Sequence, residues 1–125
     1  MNNTKVKNRA AFSPQFKIWL ENNGAILFGD GRAALFEAIE ETGSIRQAAA
    51  KLGMSYRAAW GKLKKTEEQI GFELIERHAG GRKSGAELTP YAKNLLTCYL
   101  NYKKDSSAAL NRLFQKHFAN LFAEL

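Results

Sequence analysis

Between Ser55 and Lys65 the chain carries Arg57, Lys62, Lys64 and Lys65, with Tyr56 and Trp60 among them and no acidic residue. Cations interleaved with aromatic rings suit a polyanion. An arginine fork matches the O6/N7 edge of guanine, and tyrosine or tryptophan can lie against thymine methyls, sugar or phosphate. At about 100° per residue, Tyr56, Arg57, Trp60 and Lys64 fall on the side of a helix opposite Ala59, Leu63, Thr66 and Ile70. The second set is the expected buried stripe, and the first, with Ser55 as N-cap, is the candidate DNA-reading set. The competing reading is an ordinary solvated basic helix with Trp60 half buried. A capped helix just before this one and a hairpin just after it favour DNA.

Two further groups could hold a phosphate strand. Arg82 and Lys83 sit among glycines in Gly80-Gly81-Arg82-Lys83-Ser84-Gly85, and Ser44 with Arg46 opens the preceding helix. Backbone amides and cations in such places track phosphates or the minor groove, although the glycine loop can equally be a plain flexible turn. It is not a nucleotide-binding P-loop, because that pattern needs glycine directly before the lysine and Arg82 stands there. His78 and His117 are far apart and have no cysteine or carboxylate at ligand spacing, so no metal or cofactor is expected. No matched acid and base pair and no nucleophile with an adjacent base stand out, which argues against an enzyme.

The elements that must position these residues are legible from periodicity and punctuation. Residues 1–13 lack hydrophobic pattern and read as a basic flexible arm carrying Lys5, Lys7 and Arg9. From Phe16 the order Phe-Lys-Ile-Trp-Leu-Glu alternates, and Asn22-Asn23-Gly24 offers a turn before Ala-Ile-Leu-Phe, predicting a hairpin. A first helix opens at Asp30 or Gly31, buries Ala34, Leu35, Ala38 and Ile39, and stops at Gly43, with Glu37, Glu40 and Glu41 turned from any DNA. Ser44-Ile45-Arg46-Gln47 has the form of a capping box for helix two, whose Ala48 and Ala49 allow close approach of another helix. Gly53 ends helix two, and helix three runs from Ser55. Two helices joined by a short glycine turn make a helix-turn-helix.

Beyond Gly71, Phe-Glu-Leu-Ile-Glu-Arg-His and Ala86-Glu87-Leu88 flank the glycine loop as the two strands of a wing. Thr89-Pro90 then supplies an N-cap and a proline at the first helical position. The helix that follows is amphipathic, with Leu95, Leu96 and Tyr99, an interruption at Lys103–Ser107, then Leu110, Leu113, Phe114, Phe118, Leu121 and Phe122. Leu96, Tyr99, Leu110, Leu113, Phe114 and Phe118 are the candidate dimerisation residues, because an exposed apolar stripe on a small chain finds its natural cover in a second subunit. The predicted architecture is thus mainly α with small β hairpins: a basic arm (1–13), a winged helix-turn-helix (14–89) and a C-terminal helical dimerisation segment (90–125).

Bulk properties agree. The 125 residues, 45% hydrophobic, can bury one modest core, and 19 Lys+Arg against 12 Asp+Glu give net +7. That charge favours nucleic acid or an anionic membrane surface. No apolar run approaches the roughly 20 residues of a spanning helix, and the N-terminus has no apolar export signal. The single cysteine, Cys98, lies in an apolar stretch and is expected to be a buried, reduced thiol in a cytoplasmic protein. Three functions remain open: a DNA-binding dimer, a winged helix that docks on protein through Phe114, Phe118 and Phe122, and a helix lying on a membrane.

The runs Gly31-Arg32-Ala33-Ala34-Leu35-Phe36-Glu37-Ala38-Ile39, Thr42-Gly43-Ser44-Ile45 and Ala48-Ala49-Ala50-Lys51-Leu52-Gly53-Met54-Ser55-Tyr56-Arg57-Ala58-Ala59-Trp60 closely resemble the N-terminal domain of the molybdate-responsive ModE regulators. More distantly the chain is similar to the LysR-type winged helix-turn-helix. The likeness extends from about Phe16 through Thr89-Pro90. It implies a bacterial, sequence-specific transcriptional regulator acting on double-stranded DNA as a homodimer. In that family the helix at Ser55 enters the major groove, so Tyr56, Arg57, Trp60 and Lys64 become base or backbone contacts and Arg82 and Lys83 wing contacts. ModE regulators continue into small β-rich domains that bind the oxyanion. With this chain ending after its amphipathic helix, no sensor is expected here, molybdate binding is not carried over, and the effector is left open.

Overall fold

The computed structural model describes residues 11–78 and 85–123. Their elements are β1 (Leu20–Asn22), β2 (Ala25–Phe28), α1 (Asp30–Thr42), α2 (Ile45–Lys51), α3 (Tyr56–Ile70), β3 (Ile75–His78), β4 (Gly85–Leu88) and α4 (Pro90–Phe122). The strands form two separate antiparallel hairpins, β1-β2 and β3-β4. The described residues form two compact units, one within Ile18–Tyr102 and the other joining residues 11–17 to residues 103–123. The boundary between these units falls inside α4.

In the larger unit, Asn23 (φ 50°) and Gly24 (φ 86°) both take positive φ, as a two-residue hairpin turn of the favoured hand requires. Pairing runs only from Asn22↔Ala25 to Leu20↔Phe28. The strand expected from Phe16 is thus confined to its last three residues. β2 ends at Phe28 because Gly29 already serves as the N-cap of α1, which leaves residues 16–19 no strand to pair with.

α1 buries Ala33, Leu35, Phe36, Ala38 and Ile39; Ala34, assigned to that face from spacing, is half-buried. The helix stops where Gly43 adopts φ 69° and its N–H returns to the Ile39 carbonyl at 2.8 Å, a left-handed cap that only glycine enters cheaply. Phe28, Phe36, Leu35, Ile39, Leu63, Leu74 and Leu88 are the large, fully buried apolar side chains, each contributing about 1.5–3 kcal/mol by leaving water. They draw on both hairpins and two helices, so the wing is anchored in the same core as the helices.

α4 begins as its punctuation predicts. Thr89 Oγ1 accepts from the Ala92 N–H at 3.2 Å and donates to the Glu73 carbonyl at 2.8 Å, and Pro90 is the first helical residue. Ala92, Leu96 and Tyr99 are its buried positions. Here the sequence expectation is corrected: Leu96 and Tyr99 are 6% and 2% exposed within one protomer, so they are core residues and unavailable to a dimer seam. Tyr99 packs edge-on to Phe28 at 5.2 Å, and its hydroxyl donates toward Asp30 Oδ1 (2.7 Å) and the Ile18 carbonyl (2.9 Å). Burial, reinforced by the Asp30 carboxylate, pushes its pKa up to about 12. Cys98, one residue away on the helix, faces outward and is exposed, contrary to the buried thiol that its apolar neighbours suggest.

The smaller unit is an aromatic row. Phe114 stacks on Phe118 at 5.3 Å, Phe118 on Phe122 at 5.5 Å, and Phe12 approaches Phe122 at 4.7 Å. Pro14, Gln15, Phe16, Leu110, Leu113, Phe114, His117 and Phe118 line an apolar cleft of about 500 Å³. No described helix is long and apolar enough to cross a membrane.

Candidate nucleic-acid interface

The start of α3 is set by local chemistry. Ser55 Oγ accepts the Ala58 N–H at 3.0 Å and caps α3, an interaction worth about 1 kcal/mol. Ser44 does the same for α2, accepting from the Gln47 N–H at 3.1 Å. The full capping box does not form, however, because the Ser44 N–H donates to Thr42 Oγ1 (3.3 Å) and not to Gln47. Gly53, with φ 69°, makes the turn between the two helices, and Ala48, Ala49 and Ala59, at 0%, 1% and 0% exposure, sit in the shared core. Their missing bulk lets the two helices approach closely. From below, the Arg32 Nε–H donates to Thr66 Oγ1 at 2.9 Å, while that hydroxyl donates to the Lys62 carbonyl at 2.9 Å. Burial lowers the Arg32 pKa from its ordinary value.

Ala59, Leu63 and Thr66 are buried as their spacing predicts, whereas Ile70 at the helix end is half-buried. Arg57 and Lys64 are exposed. Tyr56 and Trp60 depart from expectation: they do not stand free on the far face but are partly buried against the core. Their rings are long enough to lean back over the neighbouring elements. They meet edge to face at 6.5 Å. The Arg46 guanidinium lies 4.2 Å from the Tyr56 centroid, and that of Arg77 lies 5.2 Å from the Trp60 centroid. Lys64 Nζ is 5.5 Å from the same indole and 3.4 Å from Glu67 Oε1. Glu67 in turn accepts the Leu74 N–H at 2.8 Å. Part of the Lys64 charge is thus already answered within the protein, which leaves Arg57 as the exposed cation nearest the start of the helix.

The wing is held to α1 by the Ala86 N–H, which donates to the Gly43 carbonyl at 3.0 Å. Its strands pair from Ile75↔Leu88 to His78↔Gly85, shorter than the run from Phe72 suggests, and His78 Nε2 lies 2.9 Å from Glu87 Oε1. The wing tip with Arg82 and Lys83, and the arm with Lys5, Lys7 and Arg9, lie outside the described residues.

Ser44, Ile45, Arg46, Gln47, Tyr56, Arg77, His78, Gly85 and Ala86 line a cleft of about 620 Å³. No carboxylate is among them. The cleft joins the start of α2, the start of α3 and the base of the wing, and brings Ser44, Arg46 and Tyr56 together with Arg77 and His78. The sequence did carry a signal for Arg77, since it stands in a predicted strand next to the wing loop. Its proximity to Trp60 is a tertiary fact. Among the described residues no His, Cys, Asp and Glu cluster could hold a metal ion.

Three helices with a capped second and third member, closed by a hairpin that packs into the helical core, define a winged helix-turn-helix. Residues 32–93 match the model of the bacterial regulatory helix-turn-helix protein, lysR family. Over that stretch the chain is similar to the lysR-type helix-turn-helix domain, and it is similar as well to the N-terminal region of the ModE regulators. It is 34% identical over 98 residues to the molybdenum transport protein ModE of Azotobacter vinelandii, covering 78% of this chain and 36% of that protein. It is 37% identical over 75 residues to the DNA-binding transcriptional dual regulator ModE of Escherichia coli (strain K12), covering 58% and 29%. The chain therefore spans about a third of the length of these curated relatives. The fold is shared with the CbnR_DBD-DNA complex, with a TM-score of 0.52 and 23% identity over 66% of this chain and 90% of that one.

Proposed function

We propose that this chain is a sequence-specific, DNA-binding transcriptional regulator of the ModE and LysR kind, acting by binding and not by catalysis, in the bacterial cytoplasm. The observation that carries the reading is the stretch of α3 from Tyr56 to Lys65. It is a Ser55-capped helix whose exposed Arg57, Lys62, Lys64 and Lys65 have no carboxylate among them, set beside an acid-free cleft that adds Arg46 and Arg77. Such a helix suits the major groove, with Arg57 placed for a guanine edge and the wing, through Arg82 and Lys83, for the flanking phosphates. Glu37, Glu40 and Glu41 are exposed on α1, and a surface of that sign belongs away from the phosphates. The name of the Escherichia coli relative, a DNA-binding transcriptional regulator, supports the same reading.

The protein acts as a homodimer through Leu110, Leu113, Phe114 and Phe118. Leu113 and Phe118 are 47% and 42% exposed beside the apolar cleft, and a second copy would remove that surface from water. Two recognition helices then reach major-groove faces ~34 Å apart on a partly palindromic site.

The test is binding to mixed duplex DNA at two salt concentrations, followed by selection of bound duplexes from a random pool. Affinity falling steeply with salt and enrichment of one two-fold motif are expected. Absence of salt-dependent binding would sink the proposal.

A further inference from the structure

The two aromatic rings of α3 are each covered by a guanidinium from another element: Tyr56 by Arg46 of α2 at 4.2 Å and Trp60 by Arg77 of β3 at 5.2 Å. With the two rings meeting edge to face at 6.5 Å, the four side chains form a continuous row across α2, α3 and the wing. We propose that Arg46 and Arg77 are positioning residues for DNA recognition, which act by clamping the Tyr56 and Trp60 rings so that α3 offers one fixed surface to the groove. The proposal rests on the DNA-binding reading and deepens it.

Geometry sets the roles apart. A guanidinium is planar and weakly hydrated, and it stacks on a ring face while its edge N–H groups remain free. Arg77 is exposed, and among the described residues it is in no ion pair, so no carboxylate competes with the indole for it. Lys64 also approaches the Trp60 ring, at 5.5 Å, but its ammonium is a mobile point charge shared with Glu67. Tyr56 and Trp60 are half-buried, so the core limits each ring from one side and a guanidinium from the other. Readout depends on such preorganisation, because a recognition side chain free to sample rotamers loses its discrimination first. Arg77 also lies immediately before His78, where the described part of β3 ends, so the same residue that fixes Trp60 couples the reading helix to the wing.

The experiment uses the full chain with Trp60 carrying 5-fluorotryptophan, its fluorine signal assigned by Trp19→Phe. Arg77→Met keeps length and apolar contact but removes the cation, and Arg77→Lys keeps charge but cannot stack in the same way. In the free protein, Arg77→Met is expected to sharpen the Trp60 signal and raise its access to solvent quencher, with Arg77→Lys intermediate. On DNA, Arg77→Met should cut discrimination between the selected site and single-base variants about ten-fold, the scale of one base contact. In a Trp60→Phe background, removing the cation should cost much less, a coupling that only interacting residues show. An equal loss of affinity on all sequences, with the salt slope lowered by about one and no coupling to Trp60, would make Arg77 a simple phosphate contact and overturn the proposal. An unchanged Trp60 signal would also overturn it. Failure of the unsubstituted protein to bind any duplex would instead remove the DNA reading, and the free-protein fluorine signal would still decide whether Arg77 holds the ring.

Discussion

Gly85, the first residue of β4, lies so close to Gly43 at the end of α1 that a Cβ on Gly85 would stand 2.6 Å from the Gly43 carbonyl oxygen. The same oxygen accepts the Ala86 N–H at 3.0 Å. The wing is therefore hydrogen-bonded to the cap of α1, and the approach is open only because position 85 has no side chain. Gly85→Ala must displace backbone, and overpacking of this kind costs about 1–3 kcal/mol. Thermal melts should report that loss, and hydrogen exchange should show the Ala86 amide deprotected. A slow Ala86 amide at unchanged melting temperature would refute the hanging contact.

Arg57 and Lys83 should separate by what they read. Arg57→Ala is expected to relax preference at particular base positions, at about 1–3 kcal/mol for the lost contact, while Lys83→Ala weakens binding on all sequences and lowers the salt slope by about one. Repeating the random-pool selection with each variant measures both. Unchanged affinity and site preference in Arg57→Ala would move the reading surface elsewhere.

Thr66 carries a hydroxyl at 0% exposure that serves Arg32 as acceptor and Lys62 as donor. Thr66→Val keeps the shape but leaves the Arg32 Nε–H without its partner, which should cost about 1–2 kcal/mol in urea unfolding. Adding Arg32→Met should recover part of it, because both polar partners are then gone. If the double variant were less stable by the full sum of the two single losses, the contact would not be what couples α1 to α3.

Burial, with the Asp30 carboxylate beside it, pushes the Tyr99 pKa up from an ordinary value of 10 to about 12. A raised pKa means that the folded state holds the proton more tightly than the unfolded one. Its stabilisation is thus fully present below pH 10 and is lost as pH rises toward 12, on the order of 2 kcal/mol in all. Compared with Tyr99→Phe, the native protein should be more stable at pH 8 and forfeit that advantage by pH 12, measured by chemical denaturation at matched ionic strength. A difference that stays constant with pH would show that neither burial nor the Asp30 contact favours the neutral phenol.

Phe118→Asp places a charge on the exposed aromatic row and is expected to make the protein monomeric in sedimentation, with the larger unit still folded by circular dichroism. Affinity for a two-fold site should then fall by more than affinity for a half-site. A dimer that survives the change would relocate the subunit contact.

Much of this fold is written in short-range chemistry. Ser55, Ser44 and Thr89-Pro90 start their helices where they stand, Asn23-Gly24 makes its turn, and Gly43 stops α1, because each satisfies backbone groups within a few residues. The stripe Ala59, Leu63 and Thr66 was legible for the same reason, helical spacing being a local property. Alternation from Phe16 overstates the first hairpin, because it describes a strand's faces and says nothing of where its partner strand ends.

The sequence alone determined that there would be a capped basic helix at Ser55 and an amphipathic helix after Pro90, since caps, turns and periodicity depend on neighbours along the chain. Tertiary structure alone decided which apolar faces were already taken. Leu96 and Tyr99 look like Leu110 and Phe114 in periodicity, yet Tyr99 closes on Phe28 and Asp30 while the later residues line a cleft. It likewise decided that Tyr56 and Trp60 would lie under Arg46 and Arg77, because Arg77 reaches the indole only once the wing folds back on the core. A side chain's type and spacing state what it can bind, and packing, a contest among distant segments for the same buried surface, selects which partner it meets.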